Sequence, residues 1–369
     1  MISFEISEEQ QLIRDMIRSF AREELAPRAR ESDEAGEIPQ EVLDAGWELG
    51  LINAMIPETC DGSRAERAAI NSVILLEELG AGCASQATAI MAPSMFVQPL
   101  VDFGTQGQQL EYLCSFAGGD YCAGALGLHE SQMTFDPAAM QTTASRDGDS
   151  WVLNGEKRLV AYGEQAAHML IVARTGDAMG LDNVEAFIVR RDAPGVTIGA
   201  ESGRQGLKPV PMARVALKNV RVDGANQLGG ADGIDARVMM NSIRLGGAAL
   251  ALGTARAATE YAIPYACERE AFGEVIAKKQ AIAFMLADMH SDIEAMRWMI
   301  WKAASIVDQG ADATRATTLA RNYVQRHALR VTDDALQVFG GHGFIRDLPL
   351  EMWMRNARTL TILEGPVAA

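Results

Sequence analysis

The stretch that decides the fold is Gln337-Val338-Phe339-Gly340-Gly341-His342-Gly343-Phe344. It ends a segment, residues 311–339, in which apolar residues recur at helical spacing, so a long amphipathic helix is predicted there. The paired glycines are a natural stop, because glycine readily adopts the left-handed backbone that ends helices. The stretch therefore predicts the end of a long helix.

Two further segments with helical period lie upstream, at residues 236–265 and 279–309, and short links join the three. Each has a broad apolar face, and antiparallel packing in a bundle is the simplest way to bury such faces. The methionine and tryptophan side chains of the middle segment, including Met296 and Trp298, either fill the core or line a ligand slot. The use of methionine as a gap filler favours the core.

The pattern changes between residues 123 and 222, where short runs of β-forming residues predict strands. Asn154-Gly155, between the runs Trp151–Leu153 and Arg158–Ala161, predicts a hairpin turn. Toward the N-terminus the helical period returns, and Ser7-Glu8-Glu9-Gln10 has the pattern of a capping box. The predicted fold is mostly α with a central β-domain: an N-terminal helical domain over 1–120, a middle β-barrel or sandwich over 121–232 and a C-terminal four-helix bundle over 233–369.

The composition excludes several classes of function. The chain has 369 residues, of which 48% are hydrophobic, so it can bury a large core. It carries 33 Lys and Arg against 49 Asp and Glu, a formal net charge of −16. This charge opposes binding to nucleic acid and to anionic membranes. The longest uncharged stretch, residues 80–101, is too polar and too interrupted by proline to insert into a bilayer.

The cysteines indicate a reducing compartment. There are five, at positions 60, 83, 114, 122 and 267, with wide spacing and without a C-x-x-C pair, so we expect buried thiols. The first residues lack a basic segment followed by an apolar run, so no signal peptide is predicted. We therefore expect a cytoplasmic protein.

Common catalytic motifs are missing from the sequence. It contains no G-x-S-x-G elbow, P-loop, H-E-x-x-H or strand-linked G-x-G-x-x-G. The five histidines do not pair at metal-ligand spacing, and no cluster of cysteines or carboxylates completes a set, so no metal site is predicted.

Three segments of the last third are more specific together, in this order, than any one of them alone. They are Arg269-Glu270-Ala271-Phe272-Gly273 before Gln280, then residues 337–344, then Arg355-Asn356-Ala357-Arg358 leading to Glu364-Gly365. In this order they resemble the acyl-CoA dehydrogenase family, whose chains are also helical, then β, then helical. The likeness extends to residues 47–60, which look like the medium-chain branch, and to Val152-Leu153-Asn154-Gly155-Glu156-Lys157.

The resemblance implies an FAD-linked oxidoreductase of fatty acid or lipid metabolism. It removes the α-proton of an acyl-CoA while the β-hydride passes to the flavin, or it catalyses the reverse reduction. Glu364 matches the carboxylate base of the medium-chain branch. Another branch places its base at the position of Ile243, so Glu364 is the only candidate here. The neighbouring Arg244 is assigned to substrate binding.

The resemblance also implies that FAD lies between subunits of a tetramer. Arg269 matches the arginine that reaches a neighbour's pyrophosphate, and such a role suits a planar, permanently charged guanidinium. The other matched cofactor residues are Phe272, Gln280, Gln337, Gly340 and Gly341. The implied partners are an acyl-CoA substrate, an electron-transfer flavoprotein or equivalent acceptor, and further subunits in a homo- or hetero-tetramer.

The middle domain departs from the family pattern. Residues 129–136 read His-Glu-Ser-Gln-Met-Thr-Phe-Asp where the family has T-E-P-x-A-G-S-D, which removes side chains that contact flavin and phosphate. Leu159 replaces a tryptophan that packs on the flavin ring, and Ala161 replaces a threonine near its N5. Pro366 follows Glu364-Gly365 where the family has threonine, and proline has no N–H to donate.

Three hypotheses follow. In the first, the chain is an active FAD-dependent acyl-CoA dehydrogenase that tolerates these changes. In the second, it is a flavin-poor subunit of a heteromeric acyl-CoA dehydrogenase that completes a partner's FAD site. In the third, it is a non-catalytic acyl-CoA-binding or scaffold protein, since a fold does not determine a function.

Overall fold

The computed structural model describes residues 6–63, 68–132 and 135–363. The first part is helical, as predicted. Its α-helices are α1 (Glu8–Phe20), α2 (Ala29–Ala35), α3 (Gln40–Glu48), α4 (Ala69–Ile90), α5 (Ser94–Phe103) and α6 (Gln106–Tyr112). The predicted capping box is confirmed at α1, where Ser7 Oγ accepts the Gln10 N–H at 3.1 Å and Gln10 Oε1 accepts the Ser7 N–H at 3.0 Å. These bonds satisfy two N–H groups that would otherwise lack partners at the helix start.

A seven-stranded mixed sheet follows in the described part of the chain. Its strands are β1 (Ala125–Gly127), β2 (Thr143–Asp147), β3 (Ser150–Ala161), β4 (His168–Thr175), β5 (Val184–Arg190), β6 (Val196–Ala200) and β7 (Met212–Asp223). The order is β1-β4-β2-β3-β7-β6, with β5 also on β4; β1 and β2 run parallel to β4, and the other pairs are antiparallel. The predicted central β-domain is confirmed.

The hairpin turn predicted at Asn154-Gly155 is wrong. Strand β3 continues through these residues, and the turn lies instead at Gly148 and Asp149, between β2 and β3. The pairing of β3 with β7 shifts register beside Gly155, where Asn154 Oδ1 accepts the Asn219 N–H at 2.8 Å. Gly155 has φ +146°, and an added Cβ would lie 2.6 Å from the Thr142 side chain. Glycine is therefore needed here for a bulge rather than for a turn.

The last part is a helical bundle, as predicted. It comprises α7 (Ala236–Glu268), a short hairpin of β8 (Glu270–Ala271) and β9 (Glu274–Val275), α8 (Gln280–Asp308), α9 (Thr314–Phe339) and α10 (Leu350–Leu360). Helices α7 and α9 run in parallel, because Asn241 bonds Thr317 at 2.7 Å near their starts and the rings of Tyr265 and Phe339 stack at 3.8 Å near their ends. Helix α8 follows α7 and precedes α9 in the chain, and it runs in the opposite direction to both.

The interpretation of the α8 side chains as core is half right. Met296 is fully buried, as predicted, whereas the Trp298 side chain is on the surface at 41% exposure. The two positions lie on different faces of the helix, because residues two apart do not share a face.

The prediction of five buried thiols is wrong. Cys60 and Cys114 form a disulfide although 54 positions separate them, because the chain after α3 packs against the end of α6. Cys83 is a buried thiol, Cys122 is half-buried and Cys267 is exposed. Sequence spacing could not reveal this pair, since the contact is made by tertiary structure.

One buried carboxylate, Asp33, joins the three parts of the chain. It lies 2.6 Å from Arg355 Nη2 on α10, 3.9 Å from Lys208 Nζ after the sheet's β6 and 3.6 Å from Arg30 Nη1. Arg355 also donates to the Gln205 carbonyl at 2.6 Å. A buried carboxylate is tolerated only when cations and N–H groups compensate for its lost hydration. This cluster therefore fixes the end of α10 relative to the sheet and the N-terminal helices.

Candidate active site

An apolar cavity lies where the sheet meets helices α4 and α5 and the end of α10. Its lining residues come from all three parts of the chain: Thr88, Met95, Leu126, Leu128, His129, Leu159, Ala161, Leu207, Met212, Leu360 and Leu363. Most of them are aliphatic, so the cavity offers an environment of low polarity. Three positions at which the sequence departs from its family pattern, His129, Leu159 and Ala161, thus line one cavity.

The predicted base follows this lining directly in the sequence. Leu363 is the last described residue, and Glu364 is the next one along the chain. Residues 364–369 lie outside the described residues, so the predicted roles of Glu364 and Pro366 stay predictions.

The cavity wall at Leu159 has unusual backbone geometry. Leu159 and Tyr162 have φ of +54°, and β3 shifts its register against β7 between Lys157 and Val160. The left-handed region costs a non-glycine residue about 1–2 kcal/mol. Glu201 Oε2 accepts the Leu159 N–H at 2.9 Å, and its other oxygen accepts Arg158 Nε at 2.9 Å. The Glu201 carboxylate therefore holds the bulge that presents Leu159 and Ala161 to the cavity.

A fully buried ion pair anchors the segment next to His129. Lys157 Nζ lies 2.8 Å from Glu130 Oε1 and donates to the Leu128 carbonyl at 3.2 Å. Glu130 also accepts the N–H groups of Gln141 at 2.7 Å and Thr142 at 2.8 Å. Burial alone would raise the pKa of Glu130, but Lys157 and these donors outweigh burial and lower it. Burial lowers the pKa of Lys157 to about 8 against the opposing effect of Glu130.

His129 is the one titratable side chain among the described lining residues. Its imidazole packs on Phe135 with 4.9 Å between ring centroids, and its carbonyl accepts the Arg158 N–H at 2.9 Å. Burial lowers the pKa of His129 to about 4, and the positive charges of Arg321 and Lys157 act in the same direction. The imidazole is therefore neutral at pH 7.

This low pKa predicts a pH dependence of stability. The unfolded chain binds a proton at His129 near pH 6.5 and the folded chain only near pH 4, so stability falls as the pH drops through this range. Because one pKa unit corresponds to ~1.4 kcal/mol, the loss assigned to His129 is about 3 kcal/mol. Urea unfolding at pH 7 and pH 4 measures it. The wild type should lose about 3 kcal/mol more than His129→Leu, and equal losses would contradict the assignment.

The six predicted cofactor residues lie elsewhere, at and around one end of the bundle. Arg269 follows α7, Phe272 lies at the tip of the β8–β9 hairpin, and Gln280 begins α8. Gln337, Gly340 and Gly341 belong to the end of α9 and the turn after it. All six are exposed, and none lines the cavity of its own chain among the described lining residues.

The hairpin presents an aromatic ring to solvent. Phe272 and Gly273 have φ of +55° and +84°, the pattern of a type I′ turn. The Phe272 side chain is 97% exposed, which is unusual for a large apolar group. Gly340 and Gly341 have open space where a Cβ would lie. This end of the bundle therefore presents to another molecule the Arg269 cation, the exposed Phe272 ring and the accessible backbone of Gly340 and Gly341.

Arg244 lies beside the cavity. Its Nη1 donates to Thr318 Oγ1 at 3.1 Å, and it lines a crevice together with Arg321 and Gln325. Leu360 and Leu363 line both this crevice and the cavity. The structure therefore brings the predicted substrate-binding arginine next to the segment that leads to Glu364.

The chemistry of these residues fits FAD. Arg269 supplies a cation for a pyrophosphate, and the open backbone at Gly340 and Gly341 admits a nucleotide. The aliphatic wall at Leu159 and Ala161 offers a flat ring an apolar surface, with His129 as a polar contact. In the described parts of the chain, no group of three or more His, Cys, Asp or Glu is arranged to hold a metal ion. No described helix is long and apolar enough to span a bilayer.

The ionic contacts that organise the site were not predicted from the sequence. Lys157 and Glu130 are 27 positions apart, and Asp33 and Arg355 are 322 apart. Lys157 follows the dipeptide that was interpreted as a turn, so its burial could not be predicted from the sequence. No local signal existed for the second.

The comparisons with known proteins agree with this architecture. The families described as "Acyl-CoA dehydrogenase, N-terminal domain", "middle domain" and "C-terminal domain" match residues 7–120, 125–220 and 231–368. A probable acyl-CoA dehydrogenase, YngJ, of Bacillus subtilis is 34% identical over 99% of this chain and 96% of its own length. The mitochondrial short-chain specific acyl-CoA dehydrogenase of Bos taurus is 33% identical over 98% of this chain and 88% of its own.

A solved structure shows the same fold over nearly the whole chain. Butyryl-CoA dehydrogenase from Megasphaera elsdenii superposes with a TM-score of 0.87 at 31% identity, covering 99% of this chain and 96% of that one. The chain therefore belongs to the acyl-CoA dehydrogenase family and is an FAD-linked oxidoreductase of acyl-CoA thioesters.

Proposed function

We propose that this enzyme dehydrogenates a short acyl-CoA between its α and β carbons, with Glu364 as the base. The observation that carries the proposal is the aliphatic cavity whose lining ends at Leu363, immediately before Glu364. An apolar cavity excludes water and strengthens the interactions of a carboxylate with the α-proton. The bound FAD would accept the β-hydride.

The short acyl group is supported by the relatives, which include a short-chain specific enzyme and butyryl-CoA dehydrogenase. Arg244, at the crevice that adjoins the cavity, is proposed to contact the anionic coenzyme A portion. A chain with net charge −16 needs such placed cations to hold an anion.

We propose that FAD lies between subunits of a tetramer, with Arg269, Phe272, Gln280, Gln337, Gly340 and Gly341 reaching a neighbour's cofactor. Their common exposure supports this assignment. Ten of the fourteen exposed large apolar side chains in the described residues also lie after residue 231, from Val238 to Ile362. Exposed apolar surface of this kind is typical of a subunit interface.

Substitution of Arg269 tests the shared cofactor. Arg269→Gln should weaken FAD binding about 10- to 100-fold, because a hydrogen bond to a charged group contributes ~1.5–3 kcal/mol. Flavin absorbance after dialysis and FAD titration by fluorescence measure the change. Arg190→Gln removes a surface arginine from the sheet and is the matched control, with unchanged flavin content expected. Equal flavin retention in both variants would refute the assignment of Arg269.

A second candidate, the heteromeric enzyme, is favoured by one observation. Among the described lining residues of the cavity, only Thr88 and His129 have polar side chains, and the Leu159 N–H is bonded to Glu201. A cavity with this lining provides few hydrogen bonds to a flavin bound by the same chain. The absorbance spectrum of the chain purified alone decides between the two: stoichiometric flavin supports a homo-oligomer, and a colourless protein that becomes yellow only with a related subunit supports the heteromer.

We further propose that an electron-transfer flavoprotein or an equivalent acceptor reoxidises the flavin. A cytoplasmic location stays a prediction from the sequence. The non-catalytic scaffold is not favoured, because the chain matches relatives named as acyl-CoA dehydrogenases over almost its whole length.

A further inference from the structure

The disulfide between Cys60 and Cys114 joins two irregular segments of the N-terminal part, the chain after α3 and the chain after α6. Helices α4, α5 and α6 lie within the loop that it closes. Two residues of the cavity lining, Thr88 and Met95, belong to α4 and α5. The disulfide therefore holds both ends of the stretch that supplies this side of the cavity.

The two bonded cysteines differ in their access to solvent. Cys60 is 3% exposed, whereas Cys114 is on the surface. An external thiolate therefore reaches the Cys114 sulfur more readily, and the buried Cys60 sulfur is then the leaving group. The nearby Cys122 is a poor nucleophile at neutral pH, because burial raises the pKa of its thiol and keeps it protonated. The surface position of Cys114 thus favours attack by a thiol from outside the chain.

Hydrogen-bond acceptors for both thiols are already in place. Cys60 Sγ lies 3.7 Å from the Gln109 carbonyl oxygen, and Cys114 Sγ lies 3.3 Å from the Leu110 carbonyl oxygen. After reduction each S–H group can donate to its neighbouring oxygen, so the buried Cys60 thiol has a partner. The surroundings therefore accommodate the reduced pair as well as the disulfide.

A second contact between the same two segments leads to the cavity wall. Trp47 Nε1 donates to the Gly118 carbonyl at 2.8 Å, and the rings of Trp47 and Tyr121 pack with 5.5 Å between centroids. The Tyr121 hydroxyl donates to the Ala89 carbonyl at 2.9 Å, and its ring packs on Tyr162 at 5.7 Å. Ala89 and Tyr162 directly follow residues that line the cavity. A change in the separation of the two segments therefore reaches the cavity wall through Tyr121.

We propose that Cys60 and Cys114 are a redox-active pair that an external dithiol opens, and that this opening loosens the cavity wall around Tyr121. A thiolate of the dithiol attacks Cys114 Sγ, the S–S bond breaks, and Cys60 leaves as a thiolate that takes up a proton. The second thiol of the dithiol then attacks the mixed disulfide and releases Cys114. The dithiol is oxidised to a disulfide, and two electrons and two protons pass to the protein.

The compartment that the sequence predicts supports this proposal. Disulfides in a reducing compartment usually have a catalytic or sensing role. The inference depends neither on the proposed substrate nor on the proposed base.

Alkylation and mass spectrometry test the pair. Air-oxidised wild type, denatured without reductant, should take up three iodoacetamide groups, at Cys83, Cys122 and Cys267, and five after treatment with dithiothreitol. When the folded protein is reduced with dithiothreitol and alkylated briefly, Cys114 should react ~10-fold faster than Cys60, which is protected by burial. Five labels before reduction would overturn the pair, and equal labelling of Cys60 and Cys114 would overturn the route of attack.

Hydrogen exchange, followed by mass spectrometry, tests the effect on the cavity wall. The double variant Cys60→Ser, Cys114→Ser keeps a donor at each position but cannot form the disulfide. Amides in peptides that cover Tyr121 and Tyr162 should exchange ~10-fold faster than in oxidised wild type, whereas peptides of α9 should keep the wild-type rate. Cys267→Ser, near the end of α7, is the matched control and should exchange as wild type does.

Wild type reduced with dithiothreitol should show the same faster exchange, so the test does not depend on the folding of the double variant. Unchanged exchange at Tyr121 and Tyr162 in the reduced wild type would overturn the link between the disulfide and the cavity. Faster exchange throughout the chain would overturn it as well, because the effect would then be a general loss of stability.

Discussion

Replacing Glu364 with glutamine is expected to slow the dehydrogenation of butyryl-CoA about 10²- to 10⁴-fold, the usual contribution of a positioned general base. Glutamine keeps the size of the side chain but cannot accept the α-proton. The position at which another branch of the family carries its base is Ile243 here, which has no proton acceptor. No second carboxylate therefore replaces Glu364 in the proposed reaction.

The rate of reduction of an artificial acceptor under saturating butyryl-CoA measures this effect. Glu9→Gln, an exposed glutamate of α1, is the matched control and should keep full activity. Calorimetry should show that Glu364→Gln still binds butyryl-CoA, because most of the proposed contacts are made by the aliphatic cavity. Full activity in Glu364→Gln would disprove the assignment of the base.

Replacing Lys157 with methionine is expected to lower the free energy of unfolding by about 3–5 kcal/mol, the cost of leaving one partner of a buried ion pair uncompensated. Methionine preserves the apolar stem of the side chain, so the loss comes from Glu130, which keeps its N–H donors but not its cation. Urea unfolding at pH 7, followed by far-ultraviolet circular dichroism, measures the change.

Two controls isolate the buried pair. Lys157→Met combined with Glu130→Gln should recover part of the lost stability, because no uncompensated charge is then buried. Arg190→Met breaks the exposed pair with Asp192 and should change stability by less than about 1 kcal/mol. Similar losses for Lys157→Met and Arg190→Met would show that the burial of the pair has no energetic consequence.

Long periodic segments made the helical parts predictable. The bundle helices and the capping box at Ser7 follow from local patterns, which is why they could be read from one sequence. Asn154-Gly155 misled the strand assignment, because the dipeptide that forms a tight turn also suits a bulge inside a long strand. Only the pairing of β3 with β7 distinguishes the two.

The candidate site was predictable only in part, because it is assembled across long sequence distances. The assignment of Arg269, Phe272, Gln280, Gln337, Gly340 and Gly341 to the cofactor stays a prediction from motifs that are short and local. The convergence of His129, Leu159 and Leu363 on one cavity could not be predicted, since it depends on how the sheet packs against α10. The neutral state of His129 likewise depends on burial and on Arg321, which no linear pattern reports.

The cluster at Asp33 bears on how the chain is made in the cell. Asp33 and Arg355 are 322 positions apart, so at ~5–20 residues per second the ribosome needs roughly 15–65 s to deliver the arginine after the carboxylate. During translation, the Asp33 carboxylate of the N-terminal helices is therefore present before its principal counterion, Arg355, has been synthesised. The N-terminal part can complete its packing around Asp33 only after α10 has left the ribosome.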